Sequence, residues 1–279
     1  MRQENDRIIR FLYGTVFGRG LLKLIQKLHA DRLIVRFLRS PRSRAFTAWY
    51  VKRNHIPLSQ EELRQYATFR DFFARDREPR GVDITPGHLI SPCDGWLSVF
   101  PIGANSCFFI KNSLYRVKDL LQDEALAANY EGGTCLIIRL YASDYHHYYY
   151  FDDGFQGQTH HIEGQLHSVQ PIACETYPVY TLNRRCWCLL ATENFGPVVQ
   201  TEIGALIVGG IANNEGNSRF CRGMEKGHFE LAGSTIVLLF EPDRIALRPE
   251  LLIQLSEAQE VRVEQGDWIA TRCAGIRES

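Results

Sequence analysis

The sequence predicts an α+β protein, mainly β, in which N-terminal amphipathic helices (residues 1–80) precede a β-rich domain of sandwich or barrel-like form (residues 81–279). Two observations carry that expectation. Up to about residue 80 the apolar side chains recur at helical spacing, and from His88 onward short β-branched and aromatic runs alternate with Gly, Pro and Asp. A chain of 279 residues has ample length for a core of this kind.

The helical part comes first. Ile8, Ile9, Leu12 and Val16, then Leu21, Leu24, Ile25 and Leu28, then Leu33, Ile34, Phe37 and Leu38 mark two or three short amphipathic helices, punctuated by Gly14, Gly18, Gly20 and Pro41. Residues 1–53 hold 13 Lys/Arg against Glu4, Asp6 and Asp31, a net of +10 in a chain whose 32 basic and 32 acidic residues otherwise balance. The apolar faces either pack on the main domain or, with that charge beside them, rest on an anionic membrane. There each basic residue adds roughly 1 kcal/mol. The charge favours a peripheral membrane contact. Nucleic acid is not expected, because no stacking aromatics are interleaved with the basic residues. Arg19, Lys23 and Lys27 interrupt the first apolar stretch, so neither a signal peptide nor a span of about 18–20 apolar residues is expected. Ser59-Gln60-Glu61-Glu62 reads as a helix start, and the aromatics of Phe69–Arg75 as core residues.

Eight cysteines form no framework, and Cys107, Cys135, Cys186 and Cys188 sit in apolar runs. They read as buried reduced thiols of a cytosolic protein.

In the β-rich part, strands are expected over Trp96–Phe100, Cys107–Ile110, Thr134–Leu140, His147–Phe151, Val179–Thr181, Val198–Ile211, Ile236–Phe240 and Val261–Ile269. Lys118–Ala128 reads as one helix, and Gly266-Asp267 as the turn of a hairpin. No metal site is expected. The pairs His146-His147 and His160-His161, with His167, lack ligand spacing, and Cys186-x-Cys188 is not a zinc pattern. His160 and His161 read as exposed turn residues, and Glu225, Lys226 and His228 as a solvated hairpin.

The chemistry centres on Gly233-Ser234-Thr235, which opens the apolar run Ile236–Phe240. Glycine lacks a Cβ, so its carbonyl can be held in unusual conformations and approached closely. The Ser234 hydroxyl beside it can attack, turning the amide into an ester. Elimination and hydrolysis then leave a pyruvoyl ketone in place of Ser234. Alone, the dipeptide is equally a common turn. Other stretches add candidates: Asp94 in Ser91-Pro92-Cys93-Asp94-Gly95, and His146 and His147 in Asp144–Tyr150.

Together these stretches resemble the phosphatidylserine decarboxylase family. Phe69–Arg75 is similar to its Phe-x-x-Phe-Phe-x-Arg, Ser91–Gly95 to its Ser-Pro-x-Asp-Gly, and Asp144-Tyr145-His146 to its Asp-Tyr-His. Ile110-Lys111, Tyr115 and Leu120-Leu121 resemble its Lys-Gly-x-x-Tyr segment with Asn112 for the glycine, and Lys226-Gly227 to Thr235 resembles its cleavage motif. The resemblance implies a proenzyme cut between Gly233 and Ser234 into a β chain (1–233) and an associated α chain (234–279). The α chain then carries a pyruvoyl cofactor made from Ser234. It implies phosphatidylserine as substrate, with phosphatidylethanolamine and CO2 as products, at the cytoplasmic face of a membrane; a homo-oligomer is compatible with it. Asp94 matches a carboxylate that orients a histidine base, and His146 a proton donor or acceptor beside the ketone. The family pattern continues Arg-x-His, whereas this chain has His147 in the arginine position and Tyr149 at the second histidine. The serine base is then His147, His146 or the Tyr149 phenol. His147 is favoured over the phenol because imidazole titrates near neutrality. Two other readings stand: the same chemistry on another amino-acid or lipid head group, and an uncleaved lipid-binding homologue.

Overall fold

The computed structural model describes residues 10–27, 30–54, 56–77, 81–110, 113–141, 143–165, 167–169, 171–205, 210–214, 216–230 and 234–273. The N-terminal part is helical, as its periodicity implies. Helical residues 10–14 lead into α1 (Val16–Lys27), α2 (Ala30–Leu38), α3 (Arg44–Asn54), α4 (Gln60–Arg64) and α5 (Phe69–Phe73). α4 opens with a capping box, in which Glu62 N donates to Ser59 Oγ and Ser59 N to Glu62 Oε2. Thr68 and Asp71 repeat the device at α5. Phe69, Phe72 and Phe73 pack with Leu38, Tyr50, Val51 and Ile56 in a helical core of their own.

The body contains β1 (His88–Ile90), β2 (Gly95–Pro101), β3 (Cys107–Ile110), β4 (Ser113–Arg116), α6 (Val117–Leu121), α7 (Glu124–Ala128), β5 (Thr134–Leu140) and β6 (His147–Tyr149). Next come β7 (Gly154–Gln156), β8 (His160–Ile162), α8 (Pro171–Thr176), α9 (Val179–Leu182), β9 (Arg185–Thr192) and β10 (Gly196–Gly204). β11 (Ile211–Asn213), β12 (Ser218–Phe220), β13 (Glu225–Phe229) and β14 (Ser234–Phe240) follow. The chain ends in β15 (Ile245–Leu247), α10 (Pro249–Glu257), β16 (Val261–Val263) and β17 (Trp268–Arg272). The main antiparallel sheet runs β12-β7-β9-β10-β14-β5-β2-β16, with β8 also on β9. Two three-stranded sheets, β1-β17-β15 and β11-β13-β6, and the β3-β4 hairpin complete the set.

β14 is the spine. It ladders from Ser234 to Phe240 against Gly204–Val198 of β10 on one side and Leu140–Thr134 of β5 on the other. Its side chains alternate between two cores. Ile236, Leu238 and Phe240 pack with Leu89, Phe229, Leu251 and Ile269. Val237 and Leu239 pack with Val117, Leu120, Ala173 and Val179 of the helices and with Leu12, Tyr13 and Leu22 from the N-terminal region. A strand covered on both faces is apolar at nearly every position, which is why this run is unbroken in the sequence.

The mainly β α+β class therefore forms, layered with the small sheets on one face and helices on the other. The barrel-like closure does not, since the main sheet is open at β12 and β16 among the described residues. Lys118–Ala128 is two helices rather than one: Gln122 takes a left-handed conformation (φ 55°) and Asp123 caps α7 by accepting from Leu126 N. Val179–Thr181 is helical, because Pro178 starts a turn whose carbonyl accepts from Thr181 and Leu182. Gly266-Asp267 does not close a hairpin. Its turn is bonded to the Ser91–Asp94 bend through Ser91 N to Asp267 O and Gln265 N to Asp94 Oδ1, so β16 and β17 enter different sheets. The expected strand Val198–Ile211 divides into β10 and β11.

Candidate active site

The sheet register brings the expected residues to one end of the main sheet. Ser234 begins β14 and pairs with Leu140, the last residue of β5, and with Gly204, the last of β10. β2 starts alongside, and Gly95 lies so close that a Cβ there would approach Ile138 Cγ2 to 2.7 Å and the Arg139 carbonyl to 2.9 Å. Only glycine lets β2 dock at that distance, which sets Asp94 at the same end as Ser234. Ser234 is fully buried and its Oγ has no hydrogen-bond partner among the described residues. A buried hydroxyl without a partner forgoes about 1–3 kcal/mol of hydrogen bonding, a condition that the adjacent Thr235 shares. Gly233 lies outside the described residues, as do Lys111 and Asn112 of the resemblance.

The chain from β5 to β6 delivers the histidines. Asp144 fixes that turn: its Oδ2 accepts from Tyr141 N at 2.7 Å and its Oδ1 from Arg262 at 2.8 Å. His146 is buried against Phe73, with ring centroids 4.2 Å apart, and its Nδ1 lies 2.9 Å from the Asp144 carbonyl. A carbonyl only accepts, so Nδ1 carries the proton and Nε2 the lone pair. That Nε2 is buried without a described partner. Burial pushes the His146 pKa down to about 3, against the opposing pull of the Asp144 carbonyl and the Asp94 charge. His147 sits in a stack between Tyr145 (4.7 Å) and His228 (4.8 Å), with Nδ1 2.9 Å from Glu225 Oε1. Tyr149 is hydrogen-bonded to Tyr145, and burial raises its phenol further above neutrality.

Asp94 is expected to orient a histidine base. Its carboxylate is engaged by Arg77 at 2.7 Å and by Gln265 N at 2.9 Å, and no described histidine bonds to it. Arg77 also lies over the Tyr145 ring, 4.3 Å from its centroid. Sequence reasoning passed over Arg77 and treated α5 as core alone. Yet the strap of residues 69–77 touches the site three times: Phe73 on His146, Arg77 on Asp94, and Arg70 on Glu230 at 2.7 Å. Arg39 holds the other oxygen of Glu230 at 2.6 Å, four positions before Ser234. The signal was available in the repeated arginines (Arg70, Arg75, Arg77) that follow a buried aromatic face.

Lys226 is not solvated. It and Glu202 are both 0% exposed and meet at 2.7 Å, with Gln200 and Asn213 also bonded to Glu202. The ion pair fastens β13 to β10 beneath the site. His160 and His161 are exposed as expected, but on β8, where His160 stacks on Trp187 at 4.1 Å. All eight cysteines are free thiols.

Residues 69–270 match a family model described as phosphatidylserine decarboxylase. The chain is 39% identical over 271 residues to phosphatidylserine decarboxylase proenzyme 2 of Clostridium acetobutylicum, covering 96% of this chain and 93% of that protein. It is 35% identical to the phosphatidylserine decarboxylase proenzyme of Ruminiclostridium cellulolyticum, covering 94% and 90%, and 32% identical to that of Clostridium botulinum, covering 95% and 93%.

Proposed function

The chain belongs to the phosphatidylserine decarboxylase family and is a decarboxylase of phosphatidylserine, and we propose that the electron sink for that reaction is a pyruvoyl group cut from its own backbone at Ser234. The observation that supports this reading is the fully buried, unpartnered hydroxyl of Ser234 at the start of β14. A pyruvoyl ketone supplies a carbonyl that condenses with the substrate amine and takes up the electron pair left when CO2 departs. The site residues fit such a group: the position is fully buried at the start of β14, and Lys226 is held by Glu202 and so does not compete as a nucleophile.

In the maturation step, Ser234 Oγ attacks the Gly233 carbonyl carbon, the C–N bond breaks, and the Ser234 nitrogen leaves as an amine while the ester forms. We assign the base to His146. The Nε2 atoms of His146 and His147 are both buried and unpartnered among the described residues, but His147 is held in the Tyr145–His228 stack with Nδ1 on Glu225, whereas His146 Nδ1 is fixed on the Asp144 carbonyl, which directs its Nε2 lone pair. Arg77 fixes Asp94, and Phe73 fixes the face of His146. Loss of the position-234 Cα proton then expels the Gly233 carboxylate as the Cβ–Oγ bond breaks, water replaces the nitrogen of the resulting imine with release of ammonia, and the two chains remain interlocked. β14 lies between β10 and β5, β16 pairs with β2 and β17 with β1, so strands of the α chain are laced through sheets of the β chain.

The N-terminal region is assigned to the cytoplasmic surface of an anionic membrane. Val16, Phe17, Leu24, Leu33, Phe37 and Trp49 are exposed, Val16 and Phe17 at 80% and 76%, within the segment of net charge +10. No described helix is long and apolar enough to cross a membrane. Intact mass and CO2 release test the whole reading. The wild type should give two chains, the smaller beginning at a keto-blocked residue 234 and reactive with hydroxylamine. Ser234→Ala should give one chain and no CO2; full CO2 release from that variant would overturn the proposal.

A further inference from the structure

We infer that His147, His228 and Glu225 form a binding site for one divalent transition ion, zinc by preference. The site follows from how β6 and β13 pair. His147 lies directly opposite His228 in the ladder, so both side chains emerge from the same face of the β11-β13-β6 sheet. Glu225 is three residues from His228, an odd spacing that in a regular strand would point it to the opposite face. The register shifts between Glu225 and Gly227, where the ladder runs Glu225↔Tyr149, Gly227↔Tyr148 and His228↔His147. That bulge turns Lys226 inward to Glu202 and leaves Glu225 beside the two imidazoles. The irregularity thus does two jobs with adjacent residues.

The donor atoms of the three side chains all lie within 4.8 Å of one another. Glu225 Oε1 is 2.9 Å from His147 Nδ1 and 3.7 Å from His228 Nδ1. Tetrahedral zinc with nitrogen and oxygen ligands at about 2.0–2.2 Å holds its donors roughly 3.3–3.5 Å apart, so closure needs only small side-chain rotations. Two of the groups can make them, since the His228 and Glu225 side chains are 27% and 41% exposed. His2Glu supplies three protein ligands, and the exposed side of the site leaves room for a water as the fourth. One ligand departs from the resembled pattern: His147 occupies the position where that pattern has arginine, a donor with no lone pair to offer a metal.

The inference rests on side-chain geometry and not on the pyruvoyl reading, so it is tested by binding alone. Cobalt(II) is titrated into the tag-free full-length chain, followed by its visible absorption and by displacement with zinc(II). One cobalt per chain with intense tetrahedral bands, displaced by one equivalent of zinc, is expected. His228→Ala and Glu225→Gln should each weaken cobalt binding by about tenfold or more. His160→Ala and His161→Ala should leave it unchanged. Zinc should raise the melting temperature of the wild type and of the His160→Ala chain but not that of His228→Ala, whose metal-free melt reports that it is folded. Absence of a tetrahedral spectrum, binding untouched in both site variants, or binding lost with His160 would each overturn the site.

Discussion

β14 and the helical layer of residues 30–77 meet the same site with opposite chemistry. β14 presents two adjacent hydroxyls, those of Ser234 and Thr235, both fully buried and unpartnered among the described residues, from a strand whose other side chains are all hydrocarbon. The helical layer presents arginines, half-exposed at their own ends, that reach Asp94 and Glu230. The first arrangement is held by burial and ladder hydrogen bonds and is insensitive to salt. The second is held by charge near solvent, where ion pairs contribute little to stability but set direction. The difference bears on the proposed division of reactivity and positioning: the hydroxyl assigned as nucleophile sits on a strand laddered on both sides, and the arginines reach its surroundings from a separately cored layer.

The sharpest way to break that division is at His146, which the helical layer touches through Phe73. His146→Ala should slow self-cleavage by about 10²–10⁴-fold, the usual contribution of a positioned base, as followed by the disappearance of the full-length band on a denaturing gel. His147→Ala should slow it by less than about tenfold on the same scale. A reversed order would move the base to the stack beside Glu225.

The next effect is on stability and belongs to the body alone. Glu202→Gln leaves Lys226 charged and buried without its partner, which should cost about 3–5 kcal/mol in urea unfolding. Replacing both residues by apolar side chains of similar volume should restore much of that loss. If the single variant is as stable as the wild type, the pair is not buried as described.

The helical layer should show smaller, salt-dependent effects. Arg70→Ala and Arg39→Ala should each slow self-cleavage only a few-fold, since exposed ion pairs contribute about 0–1 kcal/mol. Glu230→Gln should reproduce the slowing, and adding Arg70→Ala to it should change little, because the two residues act through one contact. Raising the salt concentration should slow the wild type towards the variants. Strictly additive effects would separate the arginines from Glu230.

Much of this was legible in the sequence where a single physical rule dominates. The two-sided burial of Ile236–Phe240, the capping box at Ser59 and the aromatic face of α5 are local patterns with local causes. The Asp94, His146 and Ser234 motifs could be read one by one. What joins them could not, because Asp94 takes its partner from Arg77, 17 positions away, and from the Gln265 backbone, 171 away. Lys226 was read as solvated for the same reason: a lysine looks exposed until a glutamate on another strand is known to face it. The Glu225–Gly227 register shift has no composition signal, yet it decides which side chains share a face.

The smallest expected effect sharpens the comparison at the seam between layer and body, where residues 81–87 lead into β1. Partial burial raises the Asp83 carboxyl, but bonds from His88 Nδ1 at 2.7 Å and from Thr85 outweigh it and hold the pKa down to about 2. His88 is itself stacked on Trp268 of the body at 4.2 Å. The unfolded chain titrates this carboxyl near pH 3.9. A folded pKa below the unfolded one means that the interaction stabilises fully above about pH 4 and is lost as pH falls towards 2. Asp83→Asn should therefore lower the melting temperature slightly at pH 6, and the gap to the wild type should close as the pH falls from about 4 to 2. A gap that stays constant across that range would mean that Asp83 acts through its turn geometry alone, and that the seam, unlike the arginine contacts, is not held by charge.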